Sequence, residues 1–324
     1  MLQTFPGLEL SALACALPQG LRPLESFIPA FGEAKVARFR EVSGIDALPT
    51  AAPGETTATL AEAAARTLIA QGRLDPARIT LLLCVTQTPE ARAPATAALL
   101  QQRLGLREGL LALDLNLGCS GFLAALLTAA HCLAHPAHDQ ALILGGDTLS
   151  RLVSPTDPAT AMLFGDAAFA ALLTRAPDLP PWHFLTATSG STAIQIPHDK
   201  PFAMAGADVF NFTVTRVPEQ ISRFLSLTHQ ALPDFDLLCL HQANAFIVRQ
   251  IARLLGLPDS RVPCRIAQRG NTSSASLPLL LCDLAQQPPH SSAPASLLLS
   301  AFGVGLSWIT ASLRFDFRAC APLP

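Results

Sequence analysis

Two blocks of this chain run through the same order of elements, and that repetition restricts the fold more than any single motif. In the first block, apolar residues recur at helical spacing over 57–71, and a buried strand is expected at 79–85. A helix over 94–104, a strand at 110–115, a long apolar helix over 118–131 and strands at 141–144 and 164–173 follow. The proline-rich stretch TRAPDLPPW then marks a joint near residue 178. The second block starts again with a helix over 217–232, the strand Leu237–Leu240, a helix over 245–255 and a strand at 262–266. Asn271 opens a further apolar helix over 273–284, before a strand at 295–299. Cys119 and Asn271 hold matching places, each after a strand and at the front of an apolar helix. They lie about 150 residues apart, roughly one domain length. The expectation is an α/β chain of two alike halves, 1–177 and 178–324, that bring both helix starts to a shared centre.

Composition narrows what such a chain does. Half the residues are hydrophobic, 14% are charged and the mean hydropathy is +0.37, so a substantial face is expected to be covered by another subunit. A net charge of −2 argues against a general nucleic-acid binder. The eight cysteines stand singly, mostly in apolar runs such as LLLC, with no CxxC pair and no Cys/His ligand spacing. Neither a metal site nor a disulfide framework is expected, and most of these thiols read as core residues. MLQTFPGLEL lacks the basic flank and apolar core of a signal peptide, and stretches such as LLALDLNLGCSGFLAALL are broken by Asp, Asn and Gly. The expectation is a cytoplasmic chain that does not span a membrane and carries no cofactor.

Four segments could carry chemistry. In DLNLGCSGF, Gly118 and Gly121 flank Cys119 at a helix start, where unpaired N–H groups and the helix dipole favour a thiolate nucleophile. The same cysteine reads equally well as one more core thiol. In LLCLHQANAF, His241 and Asn244 stand where an apolar strand ends, the edge at which ligands gather in open α/β sheets. A structural histidine is the alternative. Asn271, after Gly270, has the plain reading of a helix N-cap. In SAFGVGLSW, Gly303 and Gly305 around Val304 offer either an ordinary turn or exposed N–H groups for an oxyanion.

Taken together, these segments and GETTATLAEAAA, GGDTLSRLVSPTD, FGDAA, MAGADVF, GNTSSAS and AFGVG resemble the β-ketoacyl-acyl-carrier-protein synthase III family of thiolase-like condensing enzymes, over nearly the whole chain. The resemblance implies a five-layered αβαβα fold, an obligate dimer and a triad of Cys119, His241 and Asn271. It implies that the backbone N–H groups of Cys119 and Val304 hold an oxyanion, with Ala93, Phe164, Asn244, Phe246, Gly303 and Gly305 around the substrate. The implied reaction loads an acyl group onto Cys119 and condenses it with a malonyl- or β-ketoacyl-type thioester, with loss of carbon dioxide. The implied partners are acyl carrier protein and acyl-CoA thioesters. A homodimer is expected, with a heterodimer of related chains as the alternative.

Some positions depart from the family pattern. Where the family stacks the coenzyme A adenine between a tryptophan and an arginine, this chain aligns Arg38 and Pro158. A further arginine becomes Val42, and an asparagine becomes Ala207. Losing such a stack removes about 1–2 kcal/mol, which favours a carrier-bound donor. The docking arginine after HQAN is Phe246 and a lysine is Asn211, leaving Arg216, Arg223, Arg249 and Arg253 as a relocated basic face. The aromatic that closes the acyl pocket from the partner subunit aligns with Ala93, which opens room for a longer acyl group. These changes point to a specialised biosynthetic pathway. The competing reading is an acyltransferase of the same fold that makes an ester or amide without decarboxylation.

Overall fold

A computed structural model of the chain describes residues 1–197, 199–287 and 294–323. Two five-stranded sheets organise it. The first runs Leu8–Ala16, Ala167–Arg175, Gln140–Asp147, Leu81–Val85 and Leu111–Leu115 from one edge to the other, the last three parallel. The second runs Leu2–Phe5, Trp182–Thr188, Ser307–Phe315, Ala295–Gly303 and Leu237–Leu240. The strands Leu81–Val85 and Leu237–Leu240 are apolar on both faces because both faces are covered. Helices Gly121–Leu133 and Ser276–Ala285 pack between the sheets in one continuous core. Thr57–Ala70 and Thr96–Arg103 cover the far side of the first sheet. Gly206–Thr228 and Ala245–Leu254 cover that of the second. The layers are therefore αβαβα, as expected from the thiolase-like resemblance. No helix among the described residues is long and apolar enough to cross a membrane.

Local chemistry accounts for several boundaries. The GETTATL segment starts its helix with a capping box: the Thr56 hydroxyl accepts from the Thr59 N–H, and Thr59 returns the bond to the Thr56 N–H. The helix behind it packs alanines 58, 61, 64 and 65 against Ala12, Ala14, Ala168 and Ala170 of the sheet, small residues that let the layers approach closely.

Three elements differ from their expected form. The segment 262–266 is not a strand. Pro263 has no N–H to give a ladder, and the Gln242 side chain takes the ladder's place: its amide donates to the Leu240 and Pro263 carbonyls and its oxygen accepts from the Arg265 N–H. The fifth place in the second sheet is filled at its other edge by Leu2–Phe5. The helix expected from 217 begins at Gly206, because its buried stripe (Thr213, Val217, Gln220, Ile221, Phe224) runs past Pro218 on both sides. Phe164 precedes its strand, which begins at Ala167, and forms instead an isolated bridge to Asn271.

That bridge fixes the entry to the second central helix. The Asn271 N–H donates to the Leu163 carbonyl at 2.9 Å, and the Gly165 N–H donates to the Asn271 carbonyl at 3.1 Å. Gly270 makes the approach possible. Its φ is +63°, and a Cβ there would lie 2.3 Å from Leu48 Cδ2 and 2.9 Å from the Leu163 oxygen. Gly270→Ala is expected to cost at least about 1–2 kcal/mol from the left-handed backbone alone, read as a lower urea midpoint. A midpoint equal to wild type would contradict this account of the turn.

Candidate active site

Cys119, His241 and Asn271 come from three distant segments and line one cavity of about 290 Å³. Cys119 stands two residues ahead of the helix Gly121–Leu133, in the turn that leaves Leu111–Leu115. The backbone of Gly303, at the end of Ala295–Gly303, presses directly on it. A Cβ at Gly303 would fall 2.7 Å from Cys119 Cβ and 3.2 Å from its sulfur. His241 follows Leu237–Leu240, donates its backbone N–H to the Ser300 carbonyl, and meets the Phe302 ring edge-on at 5.4 Å. Its Nδ1 lies 2.6 Å from the Ser276 hydroxyl.

Asn271 is a buried anchor rather than a helix cap in the ordinary sense. Its side-chain oxygen accepts from the N–H of Ser273, a residue with a left-handed φ of +51°, at 3.0 Å. The Asn271 amide nitrogen is left for the cavity and the Cys119 sulfur. Val304 also lines the cavity, its carbonyl held by the Ser307 hydroxyl, which in turn bonds Ser120 at 2.6 Å. No carbonyl among the described residues takes the N–H of Cys119 or of Val304.

The remaining expected residues divide. Phe164, Phe246 and Gly303 line the cavity, and so does Asn244, which also caps Ala245–Leu254 by accepting from the Ile247 N–H. Gly305 does not line it; the turn it shapes is tied down by the Ser191 N–H on its carbonyl. Ala93 lies outside the cavity of its own chain, on an exposed loop. Val42 and Phe246, 39% and 47% exposed, place the mouth at the surface, where Phe246 stacks on Phe210. Among the described residues, Cys119 and His241 are the only titratable side chains that line the cavity, and none of these lining residues is cationic.

Electrostatics departs from the simple helix-start expectation. Burial, and after it the Asp147 carboxylate, pushes the Cys119 thiol up to about 12, opposed by the nearby Ser273 hydroxyl, its own N–H and the Asn271 side chain. The Ser273 hydroxyl, buried close by, has no geometrically sound partner among the described residues, so its effect on the sulfur is one of proximity. The resting thiol is therefore neutral: enclosure outweighs the helix. Burial likewise pushes His241 down from 6.5 to about 3, leaving the ring uncharged. Unfolded, it takes a proton below about pH 6.5; folded, it does so only near pH 3, so its contribution to stability is full above that window and is lost as pH falls through it.

Asp147, Ser273 and Ser276 went unnoticed as site residues in the sequence. Asp147 sits inside the GGDTLSR motif, which is the one signal that could have found it. Fully buried, it accepts from the Gln87 N–H at 2.7 Å, from the Thr86 and Thr88 hydroxyls at 3.2 and 3.4 Å, and from the Ser274 hydroxyl at 3.4 Å. It thus ties the floor beside Cys119 to the Asn271 turn, and burial raises its carboxyl to about 6.

The family description 3-oxoacyl-[acyl-carrier-protein] synthase III matches residues 113–193, and its C-terminal counterpart matches 227–315. The chain belongs to that family. It is 39% identical to the β-ketoacyl-[acyl-carrier-protein] synthase III of Lactobacillus delbrueckii subsp. bulgaricus, over 78% of this chain and 82% of that protein. It is 34% identical to the Thermosynechococcus vestitus protein of the same name, over 97% of this chain and all of the other. The crystal structure of a 3-oxoacyl-(acyl-carrier protein) synthase from Burkholderia xenovorans superposes with a TM-score of 0.95 at 30% identity, covering 100% of this chain and 98% of that one.

Asp147→Asn removes a negative charge near the sulfur while keeping an acceptor for the Gln87 N–H. Alkylation of Cys119 by iodoacetamide at fixed, mildly alkaline pH should then quicken by about three- to tenfold, the effect of about half to one pKa unit. A rate equal to or below wild type would contradict this assignment.

Proposed function

We propose that this chain is a condensing enzyme in which Cys119 carries an acyl group and His241 and Asn271 stabilise the carbanion that extends it. The observation that carries the reading is the shared cavity: one thiol, one neutral imidazole and the Asn271 carboxamide meet in a predominantly apolar chamber. In the first step the Cys119 sulfur attacks the carbonyl carbon of an acyl thioester, and the N–H groups of Cys119 and Val304 receive the oxyanion. The carbon–sulfur bond of the donor breaks, and the departing thiolate leaves as the thiol, carrying the proton that Cys119 gives up. In the second step a malonyl-type thioester places its carbonyl oxygen against His241 and Asn271. The bond to the carboxylate breaks, carbon dioxide departs, and the electron pair becomes an enolate held by those two groups. The enolate carbon attacks the acyl carbonyl, and the Cys119 thiolate leaves and takes up a proton.

The partners follow from the cavity wall. With Val42 and Phe246 at the mouth and no cation lining the channel, the supported donor is an acyl chain on a carrier protein rather than on coenzyme A, in a specialised pathway. A homodimer of two such two-halved chains, divided near residue 177, completes the proposal. Its support is the edge strand Leu111–Leu115, where Leu111 and Leu113 are each 41% exposed. The exposed loop that carries Ala93 is joined to this strand: the Asp114 carboxylate accepts from the Thr96 and Ala97 N–H groups. From there Ala93 would reach a partner's cavity.

Intact-protein mass spectrometry tests the triad. Wild type incubated with an acyl donor should gain one acyl mass and lose it on adding a malonyl thioester. Cys119→Ala should gain none. Asn271→Ala should load and then fail to discharge, with condensation reduced by at least about a hundredfold. Acylation of Cys119→Ala would overturn the nucleophile assignment, and normal discharge by Asn271→Ala would overturn the role of the amide.

A further inference from the structure

The catalytic imidazole has a partner that the reaction, as described so far, does not use. His241 is 1% exposed and Ser276 2% exposed, and their polar atoms meet at 2.6 Å, where no water intervenes. In a neutral ring only one nitrogen carries a proton, and the hydrogen bond at the other determines which. The direction of the Ser276 bond therefore decides what His241 offers the substrate. If Ser276 accepts, the proton is on Nδ1 and the ring presents a base. If Ser276 donates, the proton is on Nε2 and the ring presents a donor.

The surroundings of Ser276 decide the direction. A hydroxyl inside a helix commonly gives its proton to the carbonyl four residues back. Thr67, Thr128, Thr213 and Thr228 all do so here, at 3.1, 2.8, 3.0 and 2.9 Å. Ser276 does not. It stands at the first turn of its helix, and its hydroxyl makes no bond to the Thr272 or Ser273 carbonyl, which accept the N–H groups of Ala275 and of Ser276 itself. Among the described residues its hydroxyl has one neighbour within hydrogen-bond distance, His241 Nδ1. A buried hydroxyl gives its proton to the acceptor it has. The other ring nitrogen has no protein partner among the described residues, yet is not among the buried, sealed polar atoms, which leaves it facing the cavity that His241 lines.

We propose that Ser276 is a positioning residue that donates to His241 Nδ1 and so holds the ring in its Nε2–H form. This rests on His241 acting in condensation, and it deepens that reading. Asn271 is set in the same sense, because its oxygen is occupied by the Ser273 N–H and only its amide nitrogen is free for the cavity. Both side chains then present hydrogen-bond donors to a thioester oxygen, and neither presents a base. Such a pair stabilises an enolate and cannot take a proton from an alcohol or amine nucleophile.

Nitrogen-15 NMR of histidine-labelled enzyme reads the tautomer directly, with the His241 signals identified by their loss in His241→Gln. The expected spectrum has a protonated Nε2 and an unprotonated Nδ1. A protonated Nδ1 overturns the proposal, whatever the activity. Ser276→Ala should load acyl groups at the wild-type rate, mix the two tautomers, and lower the condensation kcat by about five- to twentyfold with little change in KM. Ser276→Thr, which restores the hydroxyl, should recover most of the loss. Wild-type tautomer and kcat in Ser276→Ala also overturn it; were that variant unable to fold, the wild-type spectrum still decides. Since the spectrum needs no substrate, failure of this proposal is distinct from failure of the condensing activity.

Discussion

The bare backbone of Gly303 resting on Cys119 is the contact on which the rest of the site depends. It joins the end of a strand in the second sheet to the turn ahead of a central helix of the first, and any side chain at that point would displace Cys119. Val304, the next residue, lines the same cavity, so that the N–H groups of Cys119 and Val304, which no carbonyl among the described residues takes, come from the ends of different sheets. Burial follows from the same closeness. It keeps the thiol and the imidazole both uncharged at rest, so charge appears only as the reaction creates it, in surroundings where each fixed N–H counts for more than it would in water.

Polar groups in the site are arranged in one sense. The Asn271 oxygen is spent on the left-handed Ser273 turn, and the Gly165 and Leu163 backbone groups grip the Asn271 main chain. Asp147, itself buried, gathers the Gln87 N–H and the Thr86, Thr88 and Ser274 hydroxyls beneath the sulfur. Groups that could accept a proton are thereby occupied by the protein, and groups that donate are left to the substrate. A cavity of this kind suits a reaction whose difficult moment is the appearance of negative charge on oxygen.

Much of this was legible in the sequence where local pattern and final environment agree. Strands such as Leu81–Val85 are apolar on both faces because both are covered, and Thr56 announces its helix by a cap made within three residues. Legibility ended where a distant group replaced a local one. The segment 262–266 looks like a strand, but Pro263 cannot pair and the Gln242 side chain does the pairing. Phe164 looks like part of a strand, yet the Leu163 carbonyl and Gly165 N–H on either side of it are spent on Asn271. Cys119, His241 and Asn271 were singled out by likeness to a family as much as by their own spacing, since each motif alone has an ordinary structural reading. Ser276 lies inside the GNTSSAS stretch, but its role depends on the direction of one buried hydrogen bond to His241, which no sequence pattern records.

The central claim is that the chamber stabilises an enolate and offers no base. The most direct measurement follows carbon dioxide and product together, using enzyme preloaded on Cys119 and a malonyl thioester labelled in its free carboxyl. The account predicts one carbon dioxide released for each acyl group discharged, with a β-ketoacyl thioester as the product. Discharge onto an alcohol or amine with the label retained would contradict it.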